Sequence, residues 1–201
     1  ISLGLIMQKT LLQSLTKIAD IHKDLVLPGL VHVAGWVRTK RSSKRFSFIE
    51  LNDGTSAKSL QVIADTANAT YEGVEKLVIG FSIEVLGELV LSPGKGQKYE
   101  LQAKEVRIFG PADPESYPLQ KKDMSLEYLR EVAHMRVRTA TFSSVFRIRS
   151  RVCFAIHDFF EKQDFNYVHT PLLTATDGEG AGESFKVTNF DFEKIPRNKD
   201  G

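Results

Sequence analysis

LVHVAGWVRTKRSSKRFSFIELNDGTSAKSLQVIAD, residues 30–65, alternates apolar and polar side chains in three successive runs. A period of two marks strands with one buried face. Val31, Val33, Gly35 and Val37 share one face of the first run. Ile49 and Leu51 do so in the second, and Leu60, Val62 and Ala64 in the third. Downstream, Ile83, Val85, Leu89 and Leu91 alternate, then Tyr99, Leu101 and Ala103. Turn signals separate the runs at Asp53-Gly54 and at Pro93-Gly94-Lys95-Gly96. Between the third and fourth runs, NATYEGVEKLVIG (68–80) reads as one short helix ending at Gly80.

Five strands with a helix after the third is the layout of an all-β OB-fold barrel. An SH3-like barrel or a plain β-sandwich is the alternative, and the helix position favours the OB barrel. The barrel is expected over 28–110, after a lead-in at 1–27 whose residues 8–27 are a weak helix or irregular. GPADPESYP, with Pro111, Pro114 and Pro118, breaks every period and places a linker at 111–124. Beyond it the period changes. Residues 125–136 look helical, and Phe142, Val145, Phe146, Val152, Ile156, Phe159 and Phe160 recur at helical spacings. That predicts an amphipathic helix of about six turns, ended at Gln163-Asp164, with FNYVHTPLL (165–173) a strand running into Pro171. Residues 125–201 therefore read as the beginning of an α/β domain.

The 201 residues are 42% hydrophobic and 26% charged, which excludes a disordered or fibrous chain. A net charge of +2 does not by itself announce a nucleic-acid binder. The lone Cys153 excludes a disulfide framework and a cysteine-cluster zinc site, and suits a reducing cytoplasm. No apolar run approaches the ~18 residues of a membrane span. The opening ISLGLIM has neither a basic start nor a cleavage pattern, and Met7 is the expected natural start. The closing PRNKDG reads as if more chain should follow.

The local charge is more telling. Arg38, Lys40, Arg41, Lys44 and Arg45 are interleaved with Trp36, Phe46 and Phe48. Charge for phosphates and rings for bases is what single-stranded nucleic acid requires. If Ile49 and Leu51 point inward, Phe46 and Phe48 point outward, and Gln61 does too, opposite Leu60 and Val62. An outward Phe48 either stacks on a base or packs beneath the linker or the second domain; spacing alone leaves both open.

Other motifs carry less. GEGAGESF (178–185) has Glu183 where a dinucleotide fingerprint needs glycine, and no βαβ unit surrounds it. PGKGQK is a hairpin turn, not a phosphate loop, the five histidines show no ligand spacing, and His157 reads as a surface or satisfied histidine. No metal site is expected. The sequon at Asn68 is read as chance. Glu179 and Glu183 stand after the expected strand, either at a mouth that binds an ammonium or as solvated loop carboxylates.

SLEYLREVAHMRVRT (125–139) and VHTPLLTATDGEGAGESF (168–185) resemble segments of the asparaginyl-tRNA synthetases, in the class II aspartate/asparagine/lysine branch. The second resembles motif 1 and the loop after it, in the E-G-A-G-E-x-F form of the asparagine enzymes; bacterial aspartate enzymes usually read E-G-A-R-D. GWVRTKR, SFIELNDG and SPGKGQKYELQA resemble the family's anticodon-binding barrel. The resemblance implies an OB barrel followed by the start of an α+β catalytic domain with an antiparallel sheet, truncated. It implies an ATP-dependent ligase that forms asparaginyl-adenylate on magnesium and passes the acyl group to asparagine tRNA. Phe48 matches the aromatic that stacks on an anticodon base, and Gln61 the residue that reads the central uridine. Arg38 is implied as a phosphate or base contact, Glu179 as the acid on the substrate's α-ammonium, and Pro171 as a homodimer contact. ATP and magnesium are implied for a full enzyme. The phosphate-gripping arginines of motifs 2 and 3 lie downstream of residue 201 in such enzymes, so the chain alone is expected to be inactive. The alternatives are a non-catalytic OB module for tRNA or single-stranded RNA, and an aspartyl-tRNA synthetase relative.

Overall fold

The structure, a computed structural model, describes residues 15–67, 71–94, 96–120, 124–174, 185, 187–191 and 193–200. Two compact units divide the chain, 1–152 and 153–201.

In the first unit, β1 (Gly29–Ser42), β2 (Phe46–Asn52), β3 (Leu60–Asp65), β4 (Ser82–Leu91) and β5 (Tyr99–Gly110) close a barrel in the order β1-β2-β3-β5-β4. Only β3 and β5 pair in parallel; the other four ladders are antiparallel. The alternation read from sequence becomes the core: Val33, Ile49, Leu51, Leu60, Val62, Ile83, Val85, Leu89 and Leu101 are completely buried. Each contributes about 1.5–3 kcal/mol of apolar burial. Leu91, the last residue of β4, departs from its run and is exposed, although it still pairs with the buried Tyr99. The β4–β5 ladder shifts register between Leu86 and Gly87, where any Cβ on Gly87 would overlap the Gln102 carbonyl.

The lead-in completes the barrel. Helix α1 (Ile18–His22) sends Ile18 and Ile21, both fully buried, into the core. Its first amides are unpaired within so short a helix, and the β2–β3 turn supplies their acceptors. Asp53 Oδ2 accepts from Ile18 N at 2.8 Å, and Thr55 Oγ1 accepts from Ala19 N at 3.0 Å.

Between β3 and β4, α2 (Tyr71–Glu75) covers one mouth of the barrel, and the segment turns at Gly80. Gly80 has φ +94°, and a Cβ there would lie 2.7 Å from the Tyr117 ring, so the linker packs directly on it. After the linker come α3 (Leu126–Glu131), a single 3-10 turn (Arg136–Arg138) and α4 (Ala140–Glu161). The α-helix expected over 125–136 is thus limited to six residues, capped by Ser125 Oγ accepting from Tyr128 N at 3.2 Å. Arg147 of α4 donates to the carbonyls of Gly54 and Thr55, the turn that also caps α1.

Helix α4 has its expected six turns and reverses at Asp164, φ 62°. None of its residues is buried; among the described residues its apolar side chains meet only local neighbours, Phe142 and Phe146 the Arg136 guanidinium and Phe160 the Phe165 ring. The strand expected over 165–173 is not formed; this stretch is irregular and exposed. A strand needs a neighbour for its backbone donors and acceptors, and among the described residues every ladder lies within the barrel. No helix among the described residues is long and apolar enough to cross a membrane.

Candidate nucleic-acid interface

Pairing register assembles the outward face of the barrel. Arg41 lies opposite Phe48, Phe48 opposite Ile63, and Ile63 opposite Gln102, one row across four strands. The adjacent row runs Thr39, Glu50, Gln61, Glu100. Phe48 and Gln61 are therefore diagonal neighbours on one face, about 7–8 Å apart by strand geometry. Both are half-buried, while Arg41, Glu50 and Gln102 are exposed. Glu100 is turned away from solvent and accepts from Ser92 Oγ at 2.9 Å.

A β-bulge decides what the five basic residues do. Val37 pairs with Leu51, but the next pair is Thr39 with Glu50, so Arg38 is the extra residue. The face assignment inverts beyond it. Thr39 and Arg41 join the outward platform, and Lys40 is sent to the barrel mouth. There its Nζ donates to the Val74 and Glu75 carbonyls at 3.0 and 2.5 Å, closing the C-terminus of α2. Burial lowers the Lys40 pKa, against the opposing pull of Glu75. Lys40 is thus a structural cation rather than part of the basic surface read from the sequence. Arg45 is also engaged, 3.6 Å from Asp65 and 5.1 Å from the Phe46 ring centroid. Among the described residues, Arg41 and Lys44 make no ion pair and stay exposed.

Arg38 leaves the platform at its edge. It is half-buried beside Trp36, Tyr117 and Arg138. Burial first, and the Arg138 charge after it, hold its pKa below the ordinary arginine value, while Tyr117 and Glu50 pull the other way. Trp36 is half covered by Arg138, whose guanidinium lies 4.8 Å from its ring centroid.

The other sequence candidates belong elsewhere. Pro171 is exposed in the irregular stretch after α4. Glu179, Glu183 and the Asn68 sequon lie outside the described residues. His157 is exposed and meets the Tyr167 ring edge-on at 4.8 Å. Among the described residues, no three His, Cys, Asp or Glu side chains gather as a metal site requires. The position of Arg41 and the contribution of Gln102 were not anticipated. The first depends on a bulge and the second on the parallel β3–β5 pairing, and local alternation signals neither.

Residues 31–109 match the family described as OB-fold nucleic acid binding domain, and residues 125–195 that described as tRNA synthetases class II (D, K and N). The asparagine–tRNA ligase of Clostridium tetani is 51% identical over 181 residues, 90% of this chain and 38% of that protein. That of Acetivibrio thermocellus is 50% identical over 196 residues, 97% of this chain and 41% of that protein. The chain thus spans about two-fifths of the length of these relatives. In fold, it is similar to the crystal structure of asparaginyl-tRNA synthetase from Pyrococcus horikoshii complexed with asparaginyl-adenylate. The TM-score is 0.77 at 20% identity, over 89% of this chain and 41% of that one. With both domains matched in this order and about half its residues shared along nine-tenths of its length, this chain belongs to the class II asparaginyl-tRNA synthetase family and matches the N-terminal part of its members.

Proposed function

We propose that this chain supplies the tRNA-reading portion of an asparagine–tRNA ligase. The observation that carries this reading is the outward platform of Phe48 and Gln61, set on adjacent strands with Arg41 across the ladder from Phe48. A base stacks on the Phe48 ring, a sequence-tolerant interaction because every base has a π-face. The Gln61 amide offers both a donor and an acceptor, which discriminate the edge of the neighbouring base. Arg41 neutralises phosphate, and Arg38 does so at the platform's edge.

In the full-length ligase, Glu179 holds the α-ammonium of asparagine and Pro171 belongs to the contact between two subunits. The protein works in the cytoplasm, as its single cysteine suits. ATP and magnesium, when bound in such an enzyme, activate the asparagine carboxyl group. The described residues do not fit the metal: among them, no cluster of three carboxylate, histidine or cysteine ligands is formed. The contribution derived for this chain is therefore recognition of the tRNA. The test is asparagine-dependent ATP–pyrophosphate exchange and tRNA charging by the full-length protein, with aspartate as the competing amino acid. Exchange driven by aspartate in place of asparagine would refute the reading.

A further inference from the structure

A cleft of about 600 Å³ opens between the barrel and the segment that follows it, within the first compact unit. Arg38 enters from the β1 bulge and Arg138 from the 3-10 turn. Arg138 is held in place: its Nη1 donates to the Tyr117 hydroxyl at 3.3 Å, and its guanidinium lies over Trp36. Two like charges are thus brought together where water is partly excluded. Among the described residues, neither guanidinium has a carboxylate within ion-pair distance. Glu50 also lines the cleft and its charge favours the Arg38 guanidinium, so one carboxylate faces two guanidinium groups and the cleft keeps a net positive charge that a further anion would offset. Three hydroxyl-bearing residues, Ser59, Thr141 and Ser143, belong to the same lining. The N-terminal turn of the 22-residue α4 opens onto it as well.

We infer that this cleft seats a backbone phosphate of RNA lying along the outward face of the barrel, clamped between Arg38 and Arg138. RNA is favoured over a free anion by continuity. Thr39 and Glu50 line the cleft and also form the platform row that continues to Gln61. Two strand spacings, about 10 Å, separate Thr39 from Gln61. The inference rests on the reading that the platform binds RNA and adds a second anchoring point outside it. Planar, forked guanidinium groups match phosphate oxygens in pairs. The clamp therefore adds grip without base preference.

The test measures binding of the 201-residue chain to asparagine-tRNA transcript across a salt series. Arg38→Gln and Arg138→Gln should each make the slope of log K against log salt shallower by about 0.7–0.9. Neither should change the ratio of affinities between anticodon variants. Arg138→Lys keeps the charge and should keep most of the slope, which separates phosphate contact from folding damage. Trp36 is the sole tryptophan, so its emission should respond saturably to the transcript. Unchanged slopes in both glutamine variants, with Phe48→Ala still weakening binding, would overturn the clamp and leave the platform reading intact. Absence of any transcript binding would overturn both. A saturable Trp36 response to inorganic phosphate alone, without slope changes for RNA, would make the cleft a free-anion pocket and defeat the proposal.

Discussion

Arg41 stands directly across the β1–β2 ladder from Phe48, whereas its neighbour Lys40 reaches the barrel mouth and holds the C-terminal carbonyls of α2. Adjacent cations therefore have separable effects. Arg41→Gln should make the salt dependence of RNA binding shallower by about one phosphate contact without lowering the melting temperature. Lys40→Met should do the reverse, costing about 1 kcal/mol of stability from lost hydrogen bonds with the salt slope retained. Salt titrations and thermal melts on the same two variants check the assignment.

The lead-in helix is expected to be essential to the barrel. Ile18 is fully buried, so Ile18→Ala should cost about 2–5 kcal/mol through lost burial and the cavity left behind. Asp53→Ala, which leaves the Ile18 amide without its acceptor, should cost about 1 kcal/mol. Chemical denaturation measures both; a neutral Ile18→Ala would mean that α1 is dispensable.

The exposed pair Asp24–Lys98, 2.7 Å apart, predicts a pH signature. The hydrogen bond from Lys98 holds the Asp24 carboxyl below its ordinary pKa, and the hydrogen bond to Asp24 raises that of Lys98. The depressed Asp24 pKa means its contribution is present above the unfolded aspartate value and is lost as pH falls through the folded one. The raised Lys98 pKa means the converse: its contribution disappears as pH rises through the folded value. Carboxyl chemical shifts of Asp24 should titrate below those of an unpaired aspartate, and Lys98→Met should move them part of the way back, because the Tyr99 hydrogen bond, which also lowers the Asp24 pKa, remains.

The barrel was legible because its information is local. Ile49, Leu51, Leu60 and Val62 alternate with period two, and that alone sorts Phe48 and Gln61 to the other side. What escaped is non-local. No pattern in residues 36–41 marks Arg38 as a bulge, so Lys40 and Arg41 could not be told apart. The burial of Ile18 and Ile21 depends on acceptors at Asp53 and Thr55, more than thirty residues away. Conversely, the apolar run 165–173 has strand chemistry but no strand neighbour among the described residues, and composition does not supply one.

In the full-length protein, Glu179→Gln should raise the KM for asparagine tens-fold or more and leave that for tRNA nearly unchanged. Removing one member of a desolvated charge pair costs about 2–5 kcal/mol. Glu183→Gln should do less. Steady-state kinetics at both positions decide the matter, and equal, small effects would place the ammonium site elsewhere. The 201-residue chain itself should show no asparagine-dependent pyrophosphate exchange.

The most direct measurement compares binding of anticodon stem-loops by the wild-type chain, Phe48→Ala and Gln61→Ala. Stacking is worth about 1–3 kcal/mol per base, so Phe48→Ala should weaken binding by about one to two decades across all sequences. Gln61→Ala should largely keep affinity but lose the preference between the cognate central uridine and a substituted base. Unchanged binding and unchanged preference in both variants would show that the outward face of the barrel is only packing surface.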